Sequence, residues 1–384
     1  MDFSLTEEQS MLKFAARDFL TKQSPRSLVR EMEDEGVYAR DLWAQLSNLG
    51  WLGVGLPEEA GGAGGSAFEQ MLIAEEMGRA LAPIPYIASS VIAGGALAAI
   101  GSPEVRDWLA PIASGKRVAT VALAEEESFW NPDTVVLSAR ASGDGYTLNG
   151  TKLFVLDGAF ADDFVVVARQ ADGREGLVLG IVGQNTPGLT VTKMLTIAGD
   201  GQAVLTFKDV SLPKARVLAT GKVARDAVVS AIERGQLALC GAMLGAADVA
   251  MQMSVEYAKD RVQFGRPIGG FQAIQHKLAT MMKELESARA LTYSIGWRYG
   301  EGHRDGAQVA MAKAWMNETS SHTHWEAHQI HAGVAYMMEF DLQLLSRRGK
   351  SWESVFGDTD SLRRAVGDRI AEAASSGLFQ FAHA

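Results

Sequence analysis

One change of periodicity constrains this chain more than any other feature. From Arg117 to about Leu218 the sequence reads as short β-branched runs, at 118–123, 146–148, 152–156, 164–167, 177–182 and 203–207. Turn-forming pairs such as Asp144-Gly145 and Asn149-Gly150 separate them. No helical pattern alternates with these runs, which argues for an antiparallel barrel or sandwich rather than a parallel βαβ sheet. On both sides the pattern is helical. Thr6-Glu-Glu-Gln9 reads as an N-cap with acidic first-turn residues, followed by Met11, Phe14, Ala15, Phe19 and Leu20 at helical spacing. Helical patterns then cover 39–49 and 68–81 and continue to about Ser114. After Pro213 come four more, at 223–259, 271–299, 306–332 and 360–374, whose short connections predict a bundle. The expected fold is mainly α with a β middle domain: an N-terminal helical domain over 1–116, an antiparallel β-barrel or sandwich over 117–219, and a C-terminal four-helix bundle over 220–384.

Composition narrows the function classes. A net charge of −10 argues against nucleic-acid partners and against a basic membrane patch. The single Cys240 leaves no internal disulfide framework and reads as a small core residue. The N-terminus has neither a basic n-region nor an apolar h-region, and the apolar window 86–100 is short and broken by Gly94 and Gly95. These features predict a bacterial cytoplasmic protein without integral membrane association. The glycine-rich stretch Leu56-Pro-Glu-Glu-Ala-Gly-Gly-Ala-Gly-Gly65 lacks the Lys-Ser/Thr of a P-loop and reads as a turn.

The segment Arg261-Val-Gln-Phe-Gly-Arg-Pro-Ile-Gly-Gly-Phe-Gln-Ala-Ile-Gln-His276 lies between two helical patterns. Arg261 offers a planar fork of donors suited to phosphate, and Gln263 an amide for a ring or ribose edge. This can hold a dinucleotide without a Rossmann loop. The segment resembles the signature of the acyl-CoA dehydrogenase family. So do Leu56-Pro-Glu-Glu-Ala-Gly-Gly, Glu75-Glu-Met-Gly-Arg-Ala-Leu-Ala-Pro83 and Tyr146-Thr-Leu-Asn-Gly-Thr-Lys-Leu-Phe154, in order and at family-like spacing over nearly the whole chain.

The resemblance implies FAD as cofactor, an acyl-CoA substrate dehydrogenated at C2–C3, electron-transferring flavoprotein as electron acceptor, and a homo- or heterotetramer with itself or a paralogous subunit. It implies that Arg261, Gln263, Phe264, Phe271 and Gln272 contact the cofactor of a neighbouring subunit. Gln329, His331, Ala332 and Gly333 match the family's Gln-x-x-Gly-Gly turn, with Ala332 in place of a glycine. Phe154 and Leu156 match the strand beside the isoalloxazine, with Leu156 in place of a hydroxyl residue. The segment Glu125-Glu-Glu-Ser-Phe-Trp130 replaces a Gly-Ser-rich loop near the flavin and reads as a solvated acidic loop beside a bulky aromatic.

The family's chemistry needs a carboxylate to take the α-proton. The usual C-terminal position holds Phe356 or Gly357, depending on a one-residue gap. The alternative position on the first bundle helix is Gly235, and Glu233 lies about 200° around the helix from it. Three readings follow. Asp358 is a displaced base; Glu233 acts through a local register shift; or the chain is the partner subunit of a heteromeric enzyme whose paralogue carries the Glu. A flavin monooxygenase or oxidase on the same fold is a further alternative. His324, His328 and His331 share one helical face, but no cysteine is near and Glu326 lies on another face, so no metal is expected. Arg347, Arg348 and Lys350 read as a solvated face or interface ion pairs.

Overall fold

The computed structural model describes residues 5–171 and 176–375. Helices α1 (Glu7–Gln23), α2 (Arg26–Glu35), α3 (Arg40–Asn48) and α4 (Ala67–Ala80) open the chain. Thr6 caps α1 in a capping box with Gln9, and Ser66 caps α4 in one with Glu69. A π-helical segment, Ile87–Ala93, runs into α5 (Gly94–Ile100), and α6 (Arg106–Ala113) closes this part.

Eight strands form one sheet: β1 (Ala119–Ala122), β2 (Ser138–Ser142), β3 (Gly145–Val155), β4 (Asp163–Gln170), β5 (Leu177–Gly183), β6 (Leu189–Lys193), β7 (Ala203–Leu212) and β8 (Val217–Thr220). The order is β6-β7-β3-β2-β4-β5-β8, with β1 paired to β4. Pairing is antiparallel except that β1 and β2 run parallel to β4. Asn149-Gly150 is not the turn its sequence suggests. β3 runs through it as a bulge, because the Asn149 amide pairs with Asp209 of β7 instead of closing a hairpin.

Among the described residues five α-helices follow rather than four: α7 (Gly221–Asp260), α8 (Gln272–Gly300), α9 (Gly306–His331), α10 (Leu342–Ser354) and α11 (Thr359–Ser375). Between α7 and α8 a two-stranded hairpin, β9 (Val262–Gln263) and β10 (Arg266–Pro267), replaces a plain turn. α7 is long and apolar enough to span a membrane, but 72% of its most apolar window is buried inside the fold, as in a core helix. Cys240 lies fully buried on it.

Glycines let α4 and α7 meet backbone to backbone. A Cβ at Gly245 would lie 1.9 Å from the Glu75 carbonyl oxygen, and one at Gly78 would lie 2.0 Å from that of Ala242. Beside this seam the fully buried Glu75 accepts from Arg289 Nη1 at 2.8 Å and from Tyr293 Oη at 2.6 Å, and pairs with Lys13 at 2.7 Å. Burial opposes ionisation of Glu75, but Lys13 and Arg289 outweigh it and hold the carboxyl below the usual range. The cluster ties α1, α4 and α8 together and fixes the wall on which the site is built.

Candidate functional site

The sheet meets the helices at the end of β3. Lys152 is fully buried there and donates to the Leu123 carbonyl at 2.9 Å and to Glu125 Oε1 at 2.6 Å. Glu125 also accepts the amides of Val136 at 2.7 Å and Leu137 at 2.9 Å. The acidic loop is therefore not uniformly solvated: Glu126 and Glu127 are exposed, while Glu125 organises the segment between β1 and β2. Burial pushes the Lys152 ammonium down to about 8, against the pull of Glu125.

Beyond Lys152 a register shift in β3 changes which way its side chains point. Phe154 holds φ at 51° and Asp157 at 50°. Such values cost energy in non-glycine residues and persist only where the surroundings impose them. Among the described residues eight non-glycine positions have positive φ; Phe154, Phe264, Ala332 and Phe356 are four of them, and each lies in a segment picked out from the sequence. Leu156 presents its carbonyl to the Thr120 hydroxyl at 2.7 Å.

Leu156, Asp157, Tyr86, Phe160, Arg348 and Trp352 line a cleft between the sheet, the π-helical segment and α10. Among the described residues the Tyr86 hydroxyl is buried there without a hydrogen-bond partner, so the cleft offers an unused polar group. Burial, then the nearby Asp200, pushes the Asp157 carboxyl up to about 7 against the opposing Arg348. Asp200 accepts from the Ser351 hydroxyl at 3.1 Å and from Thr196 at 2.8 Å. Arg347 and Arg348 are not a solvated face. They bind the Ile197 and Ala198 carbonyls and Glu33, stapling α10 to α2 and to the loop before β7.

The two positions that the resemblance assigns to a base face each other. A Cβ at Gly235 would lie 2.4 Å from Phe356 Cε2 and 3.1 Å from Ile92. The Phe356 ring fills that space, buried, with φ at 56°. Trp130 meets it edge-on at 4.9 Å and donates to the Ser354 carbonyl at 3.0 Å, while Gln236 donates to the Phe356 carbonyl at 2.8 Å. Neither carboxylate considered from the sequence enters this space. Glu233 points to the other side of α7, where it accepts from Tyr299 Oη at 3.0 Å, and burial raises its carboxyl pKa against that hydrogen bond. Asp358 is exposed and accepts the Ser361 amide at 2.8 Å at the start of α11, the bond that chiefly lowers its pKa. Its geometry is that of a helix cap.

Arg261, Gln263, Phe264 and Gln272 are exposed around the α7–α8 hairpin, with Phe264 92% accessible. Phe264 and Phe271 meet edge-on at 6.1 Å, and Arg266 lies over the Phe271 ring at 4.1 Å. Phe271 precedes α8 as its N-cap rather than forming its first turn. Among the described residues the Arg261 guanidinium has no ion pair. At the end of α9, Gln329, Ala332 and Gly333 are exposed, and a Cβ on Gly333 would meet nothing. His331 is different. It is buried, its Nδ1 bonds the Ala327 carbonyl at 2.8 Å and its ring lies on Tyr257 at 4.5 Å, so the imidazole faces its own bundle. His324 is buried beside Ser320 with its pKa pushed down to about 4 by burial, and His328 bonds Ser346 at 2.9 Å.

Tyr86, Asp157, Asp200 and the Gly235–Phe356 contact were missed from the sequence. Only the contact had a signal there, since both of its positions had been singled out separately.

Family models for the acyl-CoA dehydrogenase N-terminal, middle and C-terminal domains match residues 6–116, 120–210 and 225–371. An acyl-CoA dehydrogenase of Bacillus subtilis (strain 168) is 30% identical over 94% of this chain and 97% of its own. A chain of the ChsE4-ChsE5 complex from Mycobacterium tuberculosis is 30% identical with a TM-score of 0.89, covering 97% of this chain and 99% of that one. Butyryl-CoA dehydrogenase from Megasphaera elsdenii is 28% identical with a TM-score of 0.89, covering 97% and 100%.

Proposed function

Because the chain belongs to the acyl-CoA dehydrogenase family, we propose that it is an FAD-binding subunit of a heteromeric acyl-CoA dehydrogenase whose α-proton base resides on a paralogous subunit. The observation that carries this reading is the Phe356 ring seated on Gly235, which leaves no carboxylate at either base position. The likeness to a chain of the ChsE4-ChsE5 complex supports an assembly of two different subunits. The substrate is an acyl-CoA thioester, the product its 2-enoyl-CoA, and electron-transferring flavoprotein the electron acceptor. The bacterial cytoplasm is the compartment that the composition favours.

The residues present fit FAD. The exposed Arg261 fork, without an ion pair among the described residues, suits a diphosphate arriving from another subunit. Gln263, Phe264, Phe271 and Gln272 surround it, and Gln329, Ala332 and Gly333 offer open backbone. The buried Tyr86 hydroxyl, without a partner among the described residues, and Leu156 line the cleft that would take the ring system. Bound FAD supplies the hydride acceptor for the β-hydrogen. The rest of the chemistry assigned to this chain is positional: Lys152 and Glu125 brace the strand end, and Phe356 with Trp130 keeps water out of the space beside Gly235. His331 contributes packing behind the α9 turn.

The visible spectrum of the chain expressed alone, followed during anaerobic addition of acyl-CoAs, tests the proposal. A yellow protein that bleaches only after the paralogue is added agrees with it. Bleaching at a catalytic rate by the chain alone sinks it.

A further inference from the structure

A cavity of about 240 Å³, lined by Gly55, Gly64, Gly65, Ser230, Arg234 and Arg304, lies between the glycine-rich loop, α7 and the α8–α9 connection. Its lining is built around Arg234. The side chain leaves α7 beneath Gly95, where a Cβ would come within 2.6 Å of Arg234 Cδ. The path of Arg234 therefore requires a glycine at position 95. Nη1 donates to the Gly55 carbonyl at 3.2 Å and to Gln70 Oε1 at 3.0 Å, both neutral acceptors. Gly55, with φ at 77°, packs so closely on Gln70 that a Cβ would lie 2.5 Å from its Cδ. The loop is thus held against the arginine.

What the guanidinium lacks is a counter-charge. Its Nε is buried without a hydrogen-bond partner among the described residues. Neither Arg234 nor Arg304 forms an ion pair among the described residues. The carboxylate that precedes it on α7, Glu233, bonds Tyr299 and senses Arg304, and forms no ion pair with Arg234 among the described residues. Two cations and a hydroxyl therefore face one cavity in a chain whose net charge is −10. An enclosed charge without a partner is costly, and a guanidinium fork matches the planar or tetrahedral oxygens of a carboxylate or phosphate.

We propose that this cavity is a binding site for a small oxyanion, a phosphate or a carboxylate, held by Arg234 and Arg304. Arg234 is turned about 100° around α7 from Gly235, so the site is separate from the Gly235–Phe356 contact and does not depend on the reaction proposed above.

The test is thermal unfolding of the purified full-length protein, titrated with sodium phosphate and separately with sodium glutarate, at an ionic strength held constant with sodium chloride. A saturable rise in Tm with either anion is expected. Arg234→Met abolishes it, and Arg304→Ala weakens the apparent affinity by about tenfold, the loss expected for one charged hydrogen-bond partner. A response to phosphate alone assigns the site to a phosphate or its ester. A response to glutarate alone assigns it to a carboxylate, such as the free end of an acyl group. No saturable shift with either anion, or an equal shift in wild type and both variants, overturns the proposal. If Arg234→Met does not fold, the exposed Arg304→Ala decides: unchanged affinity there also overturns it.

Discussion

The ring of Phe356 lies on Gly235, so close that a Cβ at 235 would come within 2.4 Å of Cε2. One aromatic side chain thereby fills the space between both positions that the family resemblance assigns to the base. Phe356→Glu exchanges the plug for a base. Anaerobic flavin bleaching by acyl-CoA in the chain without its paralogue is expected to accelerate by about 10²-fold or more, the usual contribution of a positioned general base. Stopped-flow absorbance measures it. An unchanged rate in a folded, flavin-loaded variant removes Phe356 as the explanation for the missing base.

Asp358→Ala separates a cap from a catalyst. The carboxylate accepts the Ser361 amide at the start of α11 and faces solvent. The variant is expected to lose about 1 kcal/mol of stability, the typical value of an N-cap. Turnover of the heteromeric enzyme should not change. A loss of turnover by orders of magnitude with unchanged stability would instead make Asp358 the base.

Arg261→Ala should act on the cofactor. Its guanidinium is exposed and has no ion pair among the described residues, so the fold has little to lose from its removal. Flavin affinity is expected to fall about tenfold or more through one lost charge-assisted contact. The flavin-to-protein absorbance ratio after gel filtration reads this directly, with Tm as the control for folding.

Glu75→Gln should destabilise the protein by about 3 kcal/mol or more, since it strips Lys13 and Arg289 of a fully buried partner. The folded carboxyl is held below its ordinary pKa. The stabilisation is therefore complete above the unfolded value of about 4 and fades as pH falls through the lower folded value. Denaturant unfolding at several pH values should show the gap between wild type and variant closing only in acid. A gap that widens in acid contradicts the assignment.

Much of the fold was readable from residue order. The Thr6 capping box, the long period of α7 and the β-branched runs of the middle segment are local signals, set by side chains within a few residues of one another. α10 is short, and although Leu342 and Leu345 bury on one of its faces, its Arg347-Arg348 pair reads as surface until the Ile197 and Ala198 carbonyls, distant in sequence, are seen to bind it. Asn149-Gly150 misled for a related reason: its turn propensity gives way to a cross-strand pairing with Asp209. Arg261 and Gln263 were visible as an exposed polar tip. The sequence by itself determined the three blocks, the family and the absence of a glutamate at either base position. Only the tertiary structure decided that the Phe356 ring fills the space against Gly235. Gly235 and Phe356 are far apart along the chain, and their contact exists because α7 and the segment after α10 pack side by side. The same packing turns Glu233 toward Tyr299 and encloses Arg234 in its cavity, since neighbours on a helix are rotated about 100° from one another and face different surroundings.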